Sequence, residues 1–102
     1  MSNIFHITKL ATWQQAQELG RYEAPSLKSE GFIHCSTGPQ ICQVANSIFK
    51  GQKDLILLAI DTAKVTSSLV FEGETQNVFP HIYGPIELAA VLESIPFPCG
   101  DQ

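Results

Sequence analysis

The sequence has no cluster of basic residues. Six Lys and Arg stand against ten Asp and Glu, which gives a net charge of −4. Nucleic-acid binding relies on a clustered basic face that contacts phosphates, so we expect no nucleic-acid partner. A small-molecule nucleotide ligand needs only a few hydrogen-bond donors and stays compatible with the composition. The basic residues are scattered over Lys9, Arg21, Lys28, Lys50, Lys53 and Lys64.

Long apolar runs and cysteine frameworks are also missing. The longest apolar run, Leu55 to Ile60, is far shorter than the roughly 20 residues of a membrane-spanning helix. The first residues show no signal-peptide pattern, so we expect a cytoplasmic protein with no membrane partner. Cys35, Cys42 and Cys99 are odd in number and have no C-x-x-C spacing, which disfavours a disulfide scaffold or a zinc ribbon and predicts three reduced thiols.

What is present is enough apolar material for one core. The chain has 102 residues, of which 44% are hydrophobic and 16% charged. This length and composition predict a single domain over residues 1–96. The tail over 97–102 contains proline and glycine and is expected to be loose. The expected assembly is a monomer or a small homo-oligomer.

Two helices are predicted from capping patterns and apolar periodicity. Thr12 begins a capping-box spacing, and Gly20 fits the C-cap of the helix that follows. Thr37 begins a second such box, and Gly51 ends the helix after it. That helix carries an apolar stripe of Ile41, Val44, Ala45, Ile48 and Phe49. The polar segment Ser26–Gly31 is predicted to be a turn.

Strands are predicted from two-residue alternation or from aliphatic runs. The aliphatic run is predicted to be a central strand covered on both faces, and Pro80 to mark an edge or a strand start. Residues 73–77 are predicted to form a loop, and Ile86–Leu92 is an alternative helix. Because the later half is mostly strand, the pattern favours an α+β fold. The predicted strands are Ile4–Lys9, a short piece around Tyr22, Phe32–Ser36, Leu55–Ile60, Leu69–Glu72, Phe79–Gly84 and Ala89–Ile95.

Each of the three histidines lies in or beside a predicted strand. Alternation places each one on the same face as a hydroxyl-bearing residue two positions later. An imidazole and a hydroxyl can donate and accept hydrogen bonds, as the hydroxyls of a sugar require. One such histidine is more often structural, but three together favour a binding site. The pairs are His6 with Thr8, His34 with Ser36, and His81 with Tyr83.

Other chemistries give weaker signals. Three histidines can form an open zinc site, but their spacings match no local ligand motif, so a metal-free site is favoured. Cys35 follows His34 on the opposite face of a strand, which makes His34 a poor base for it. Ser36 and Thr37 fit N-cap roles, and the helix end after them can attract an anion. No carboxylate is singled out among Glu23, Glu30, Glu72 and Glu74.

Several blocks of the sequence resemble a known family in their residues and order. That family is the uncharacterised bacterial group catalogued as domain of unknown function 952, and the resemblance covers nearly the whole chain. It implies a compact ADP-ribosyltransferase-like fold, a split and mostly antiparallel β core with two flanking helices. The blocks are Phe5-His6-Ile7-Thr8, a Trp-containing helix, Tyr22-x-Ala24-Pro25-Ser26-Leu27, Glu30-Gly31-Phe32-Ile33-His34-Cys35-Ser36-Thr37, the Asp54–Asp61 strand and Phe79-Pro80-His81-Ile82-Tyr83-Gly84-Pro85.

The resemblance also implies a cleft that binds NAD or an ADP-ribose-type ligand, in an ADP-ribosyl transferase or an NAD glycohydrolase. The catalytic candidates are His6, which would hold a ribose, His34 and His81. The position near His81 where many such enzymes carry a catalytic glutamate is not clearly a glutamate here. The ligand-binding candidates are Thr8, Ser26, Ser36, Thr37 and Tyr83.

Two alternatives stay open, because resemblance of fold does not by itself establish function. The first is a ligand-binding or interaction module that has the cleft without the chemistry, which the missing glutamate favours. The second is a metal-dependent hydrolase that uses the three histidines.

Overall fold

In a computed structural model, which describes residues 3–75 and 77–97, the chain forms an α+β fold with antiparallel strand pairs. This confirms the predicted class, while the finer ADP-ribosyltransferase-like assignment stays a prediction. Within the described residues no helix is long and apolar enough to cross a membrane. The helices are α1 (Leu10–Leu19), α2 (Pro25–Ser29) and α3 (Ile41–Ile48). The strands are β1 (Asn3–Lys9), β2 (Arg21–Tyr22), β3 (Ile33–His34), β4 (Leu55–Asp61), β5 (Ser68–Glu74), β6 (Asn77–Tyr83), β7 (Ile86–Glu87) and β8 (Val91–Pro96).

The strands form three small sheets, in the orders β1-β4-β8, β2-β7 and β3-β6-β5. β4 is the middle strand of the first sheet, as its aliphatic run predicts. Its side chains enter two apolar clusters, one containing Leu58 and Ile60 and the other Leu55 and Leu57. The predicted burial of both faces is therefore confirmed.

The side chains of β1 alternate between two apolar clusters, as its sequence predicts. Ile4 joins the larger apolar cluster, and Ile7 joins the smaller one. His6 and Thr8 share the face of Ile4 by the two-residue period, and both are buried. Two polar side chains are therefore placed inside the protein, where they need hydrogen-bond partners.

The N-terminus of the first helix differs from the prediction. α1 begins at Leu10, and its N-cap is Lys9 rather than Thr12. The Asp54 carbonyl accepts the Leu10 N–H at 2.8 Å, so backbone supplied by the turn before β4 replaces the predicted side-chain cap. At the other end the prediction is confirmed, because Gly20 ends the helix with a φ of 94°.

The second capping box is confirmed. The Gln40 side chain accepts the Thr37 N–H at 2.9 Å, just before α3. The apolar stripe of α3 is mostly covered, but Ile48 is exposed.

Two short segments were predicted wrongly. The predicted turn before β3 contains α2, which Pro25 begins from a favoured first-turn position. The predicted five-residue strand pairs with β6 only at Ile33 and His34. Further along, Ser36 leaves β6 and bridges to Phe5 of β1 instead.

Pro80 lies within β6, which is the middle strand of its sheet, so its predicted place at an edge or strand start is wrong. The reason is the shortness of β3. The Pro80 carbonyl accepts the Cys35 N–H at 3.0 Å, just beyond the two paired residues of β3. In an antiparallel ladder the N and C=O of one residue face the same neighbour. The missing N–H of Pro80 therefore faces the end of β3 and leaves the bonds to β5 intact.

The C-terminal half has more strand than expected. Gly73 and Glu74 belong to β5, where a loop was predicted, and they pair with Val78 and Asn77 of β6. The alternative helix over Ile86–Leu92 does not form, since a single 3-10 turn leads directly into β8. Phe97, the first residue of the predicted loose tail, donates its N–H to the Leu55 carbonyl. The rest of that tail lies outside the described residues.

The cysteines separate into different states. Cys35 is buried and free, as predicted. Cys42 is disulfide-bonded, so the expectation of three reduced thiols is wrong. The sequence did not indicate this bond, because the cysteines have no C-x-x-C spacing and the fold determines which cysteines come close together.

Candidate functional site

A cleft of about 740 Å³ is lined by residues of strand β1, of helix α3 and of the sheet formed by β3, β6 and β5. This volume is within the range of small-molecule sites. Of the predicted site residues, Thr37 and Tyr83 are outside its lining. Those that line it are His6, Thr8, Ser26, His34, Ser36 and His81.

Two strand contacts bring these residues together. Ser36 exchanges backbone hydrogen bonds with Phe5 at 2.7 and 2.8 Å, which fixes the segment after β3 beside β1. On the other side, His34 pairs directly with His81 in the antiparallel register of β3 and β6. Their ring centroids are 5.3 Å apart. The three histidine segments thus surround one cleft.

His6 is fully engaged inside the protein. Its Nδ1–H donates to the His34 carbonyl at 2.5 Å, which leaves Nε2 to accept the Tyr22 hydroxyl proton at 2.6 Å. The phenol oxygen is also 2.9 Å from Thr8 Oγ1. Because the single phenol proton goes to His6, the Thr8 hydroxyl donates to Tyr22. This network connects β1 to the segment of His34.

The surroundings of this network keep His6 and Tyr22 uncharged. Burial lowers the pKa of His6 from 6.5 to about 4, against the opposing effect of its bond to the His34 carbonyl. Burial also raises the pKa of Tyr22 well above its usual value. With both ring nitrogens occupied, His6 has the geometry of a positioning residue.

His81 forms a second network with a carboxylate that sequence reasoning did not single out. Its Nδ1–H donates to Glu72 Oε1 at 2.8 Å, and the Tyr83 hydroxyl donates to the same oxygen at 2.5 Å. Glu72 and His81 both line the cleft. In the neutral tautomer that makes this bond, His81 Nε2 carries the lone pair and is able to accept a proton.

Hydrogen bonds keep Glu72 ionised. The Tyr83 hydroxyl and then His81 lower the pKa of Glu72, while the same bond to Glu72 raises the pKa of Tyr83. A carboxylate in this state favours a neighbouring cation.

We predict that Tyr83→Phe raises the pKa of Glu72 toward its usual range, because the variant lacks the donor that contributes most. A carboxyl ¹³C NMR titration of Glu72 measures this directly. Ser68→Ala is the matched control, since Ser68 is the cross-strand partner of Tyr83 while the donors to the Glu72 carboxylate are Tyr83 and His81. An unchanged Glu72 titration in Tyr83→Phe contradicts the assignment.

Phe32 packs against the two histidines from outside the cleft lining. Its ring stacks on His81 with centroids 4.2 Å apart and an angle of 21°, and it meets His34 edge-on at 4.7 Å. The Tyr83 ring lies 5.3 Å from Phe32. His34 Nε2 is 3.1 Å from both carboxylate oxygens of Glu30. Ring packing and contacts with carboxylates thus hold both imidazoles in place.

Apolar side chains also form a wall of the cleft. They are Val44, Ile48 and Phe49 at α3 and Phe79 of β6. Glu72 and Phe79 are directly paired across β5 and β6, so they share one face of the sheet. The cleft therefore has an apolar surface that suits a flat apolar group and a polar surface that suits a group rich in hydroxyls.

The remaining predicted residues have mainly structural partners. Ser26 Oγ donates to the Phe32 carbonyl at 2.8 Å, and Ser36 is buried beside β1. Thr37 caps the 3-10 turn before α3. Burial raises the pKa of the Cys35 thiol, which disfavours a nucleophilic role for this cysteine.

The geometry gives no support to a three-histidine metal centre. Both nitrogens of His6 are already bonded within the protein. Over residues 3–75 and 77–97, no group of three His, Cys, Asp or Glu side chains is placed to hold a metal ion.

Fold and site together define a small α+β protein with a histidine-lined cleft between antiparallel sheets. More particularly, the chain belongs to the family described as Protein of unknown function (DUF952), whose family model matches residues 7–94. This confirms the family suggested by the sequence blocks.

Solved structures of the protein CC0527 from Caulobacter crescentus are similar to this chain. The crystal structure is 31% identical with a TM-score of 0.86, covering 95% of this chain and 87% of that one. The solution NMR structure is 30% identical with a TM-score of 0.74, covering 94% and 84%. No curated protein matches the chain.

Proposed function

We propose that the cleft binds NAD or an ADP-ribose-type ligand and that, with NAD bound, the protein cleaves the bond between ribose and nicotinamide. The observation that supports this most is the Glu72–His81 pair in the cleft wall. An ionised carboxylate beside a histidine with a free lone pair suits a reaction through a cationic sugar. Three hydroxyl-bearing residues, Thr8, Ser26 and Ser36, also line the cleft.

In this reaction the C1′–N bond breaks, and its electron pair leaves with nicotinamide. The sugar becomes oxocarbenium-like, and the Glu72 carboxylate stabilises its positive charge. The oxygen of water, or of an acceptor hydroxyl, then forms a bond to C1′. Its proton passes to His81 Nε2, which carries the lone pair in the neutral tautomer whose Nδ1–H bonds to Glu72. Glu72 thus takes the part of the glutamate that many such enzymes carry near the position of His81.

The other two histidines have supporting roles in this proposal. His34 forms the wall beside His81 and contacts the ribose or the nicotinamide amide. His6 positions the His34 backbone through its bond to the carbonyl. The flat nicotinamide ring lies against the apolar wall near Phe79, next to the carboxylate.

Glu72→Gln is expected to lower nicotinamide release at least about a hundredfold, the scale of losing one electrostatic contact to a transition state. The measurement is nicotinamide release by chromatography, together with calorimetric titration of NAD and ADP-ribose. Glu74→Gln is the matched control, because Glu74 lies on the same strand but outside the cleft lining.

Equal release by the two variants overturns the catalytic role of Glu72. Saturable binding of NAD without any nicotinamide release supports the binding-module alternative. An absence of saturable binding by the wild-type protein overturns the proposal as a whole.

A further inference from the structure

A second cavity of about 430 Å³ adjoins the cleft at Lys9, which lines both. The cavity has two lysines and two glutamines in its lining, so most of its polar side chains are hydrogen-bond donors to an anion. Its lining residues are Lys9, Leu10, Ala11, Gln14, Gln52, Lys53 and Asp54.

The fold brings the two lysines together from distant parts of the chain. Lys9 ends β1, and it pairs with Leu55 at the start of the antiparallel strand β4. Lys53 lies two residues before that strand. The bond from the Leu10 N–H to the Asp54 carbonyl fastens the two segments to each other. The backbone that carries both lysines is therefore anchored.

The positive charge of this cavity has no full internal partner. Among the residues that the structure describes, neither lysine forms an ion pair. Asp54 offsets one of the two charges in the lining, which leaves a net charge of +1 in a protein whose total is −4. Two unpaired cations beside a ligand cleft are placed to meet an anionic group of that ligand.

We infer that the second cavity is a phosphate subsite, which takes the phosphate groups of a ligand whose ribose lies in the cleft. This inference rests on the proposed function for the identity of that ligand. Lys9 contacts the ligand where the two cavities join, and Lys53 contacts the phosphate that lies furthest from Glu72. In a ligand with a diphosphate between two ribosides, the negative charge lies next to the ribose. The diphosphate would therefore reach the second cavity when that ribose lies in the cleft.

The test compares Lys53→Gln with Lys64→Gln by calorimetric titration of inorganic pyrophosphate, NAD and nicotinamide riboside. Lys53 lines only the second cavity, and Lys64 lines neither. Lys53→Gln is expected to weaken pyrophosphate and NAD binding about tenfold, the scale of one charged hydrogen bond. Binding of the riboside, which has no phosphate, is expected to be unchanged. Binding of pyrophosphate is expected to weaken as salt is added.

Equal pyrophosphate affinity in the two variants overturns the subsite. NAD binding that ignores Lys53 also overturns it, while leaving the proposed function intact. Conversely, Lys53-dependent pyrophosphate binding without any NAD binding supports the anion subsite and overturns the proposed function. The two proposals therefore fail separately.

Discussion

Acidification from pH 7 to pH 4 is expected to lower the free energy of unfolding by about 3 kcal/mol through His6 alone. Folding lowers the pKa of this histidine from 6.5 to about 4, mainly by burial. Between these values the unfolded chain binds a proton that the folded chain excludes. The stabilisation is therefore complete above pH 6.5 and is lost as the pH falls toward 4.

The measurement is urea unfolding at a series of pH values. In His6→Gln the slope of stability against pH between 4.5 and 6.5 is expected to be nearly flat, although the variant is less stable at pH 7. His34→Gln is the control, because its side chain is 46% exposed and its charge is only the third cause of the lowered His6 pKa, so most of the wild-type slope should remain. Glu72 and Glu87 also have lowered pKa values, but both are present in the wild type and in the two variants, so their contribution cancels in the comparison.

A His6→Gln variant that keeps the wild-type slope contradicts this prediction. Where the variant does not fold, the wild-type protein supplies a second measurement. The ring signals of His6 in an NMR titration are expected to stay in the neutral form down to about pH 4. Protonation of His6 near pH 6.5 would show that burial does not govern it.

Local sequence patterns predicted the parts of the fold that depend on neighbours in the chain. The alternation of β1, the C-cap at Gly20 and the capping box at Thr37 each need only a few adjacent residues, and all three are present. The aliphatic run of β4 indicated a central strand for a similar reason, because burial on both faces removes alternation.

Features set by distant segments were missed. Thr12 has a valid capping-box spacing, yet α1 starts earlier because the Asp54 carbonyl is available to Leu10. Pro80 is tolerated in a middle strand only because β3 ends beside it. In each case a local preference is overridden by backbone from another part of the chain.

In the candidate site, too, local features were predicted and contacts between distant segments were missed. Alternation predicted which side chains share a face with each histidine, but it could not supply their partners. Glu72 reaches His81 because β5 and β6 pair with one particular register, and a shift of one residue would put the carboxylate on the other face. Tyr22 reaches His6 through the packing of a two-residue strand, which has almost no sequence signal.

Leu58→Ala is expected to lower the free energy of unfolding by about 2–5 kcal/mol, the usual cost of a buried Leu-to-Ala change. Leu58 is 0% exposed and lies in the middle strand of its sheet. Leu92→Ala is the matched control, because Leu92 is 47% exposed on the neighbouring strand β8 and should change stability by less than about 0.5 kcal/mol. Equal losses in the two variants would contradict the placement of the core.

The same substitution is also expected to change the response to acid. Leu58 is the direct cross-strand partner of His6, so the two side chains share one face of the β1–β4 pair. A cavity beside the imidazole weakens the burial that lowers its pKa, which makes the decline in stability between pH 6.5 and 4.5 shallower. Leu58→Val leaves a smaller cavity and should give an intermediate slope. Wild-type slopes in both variants would show that Leu58 contributes nothing to the burial of His6.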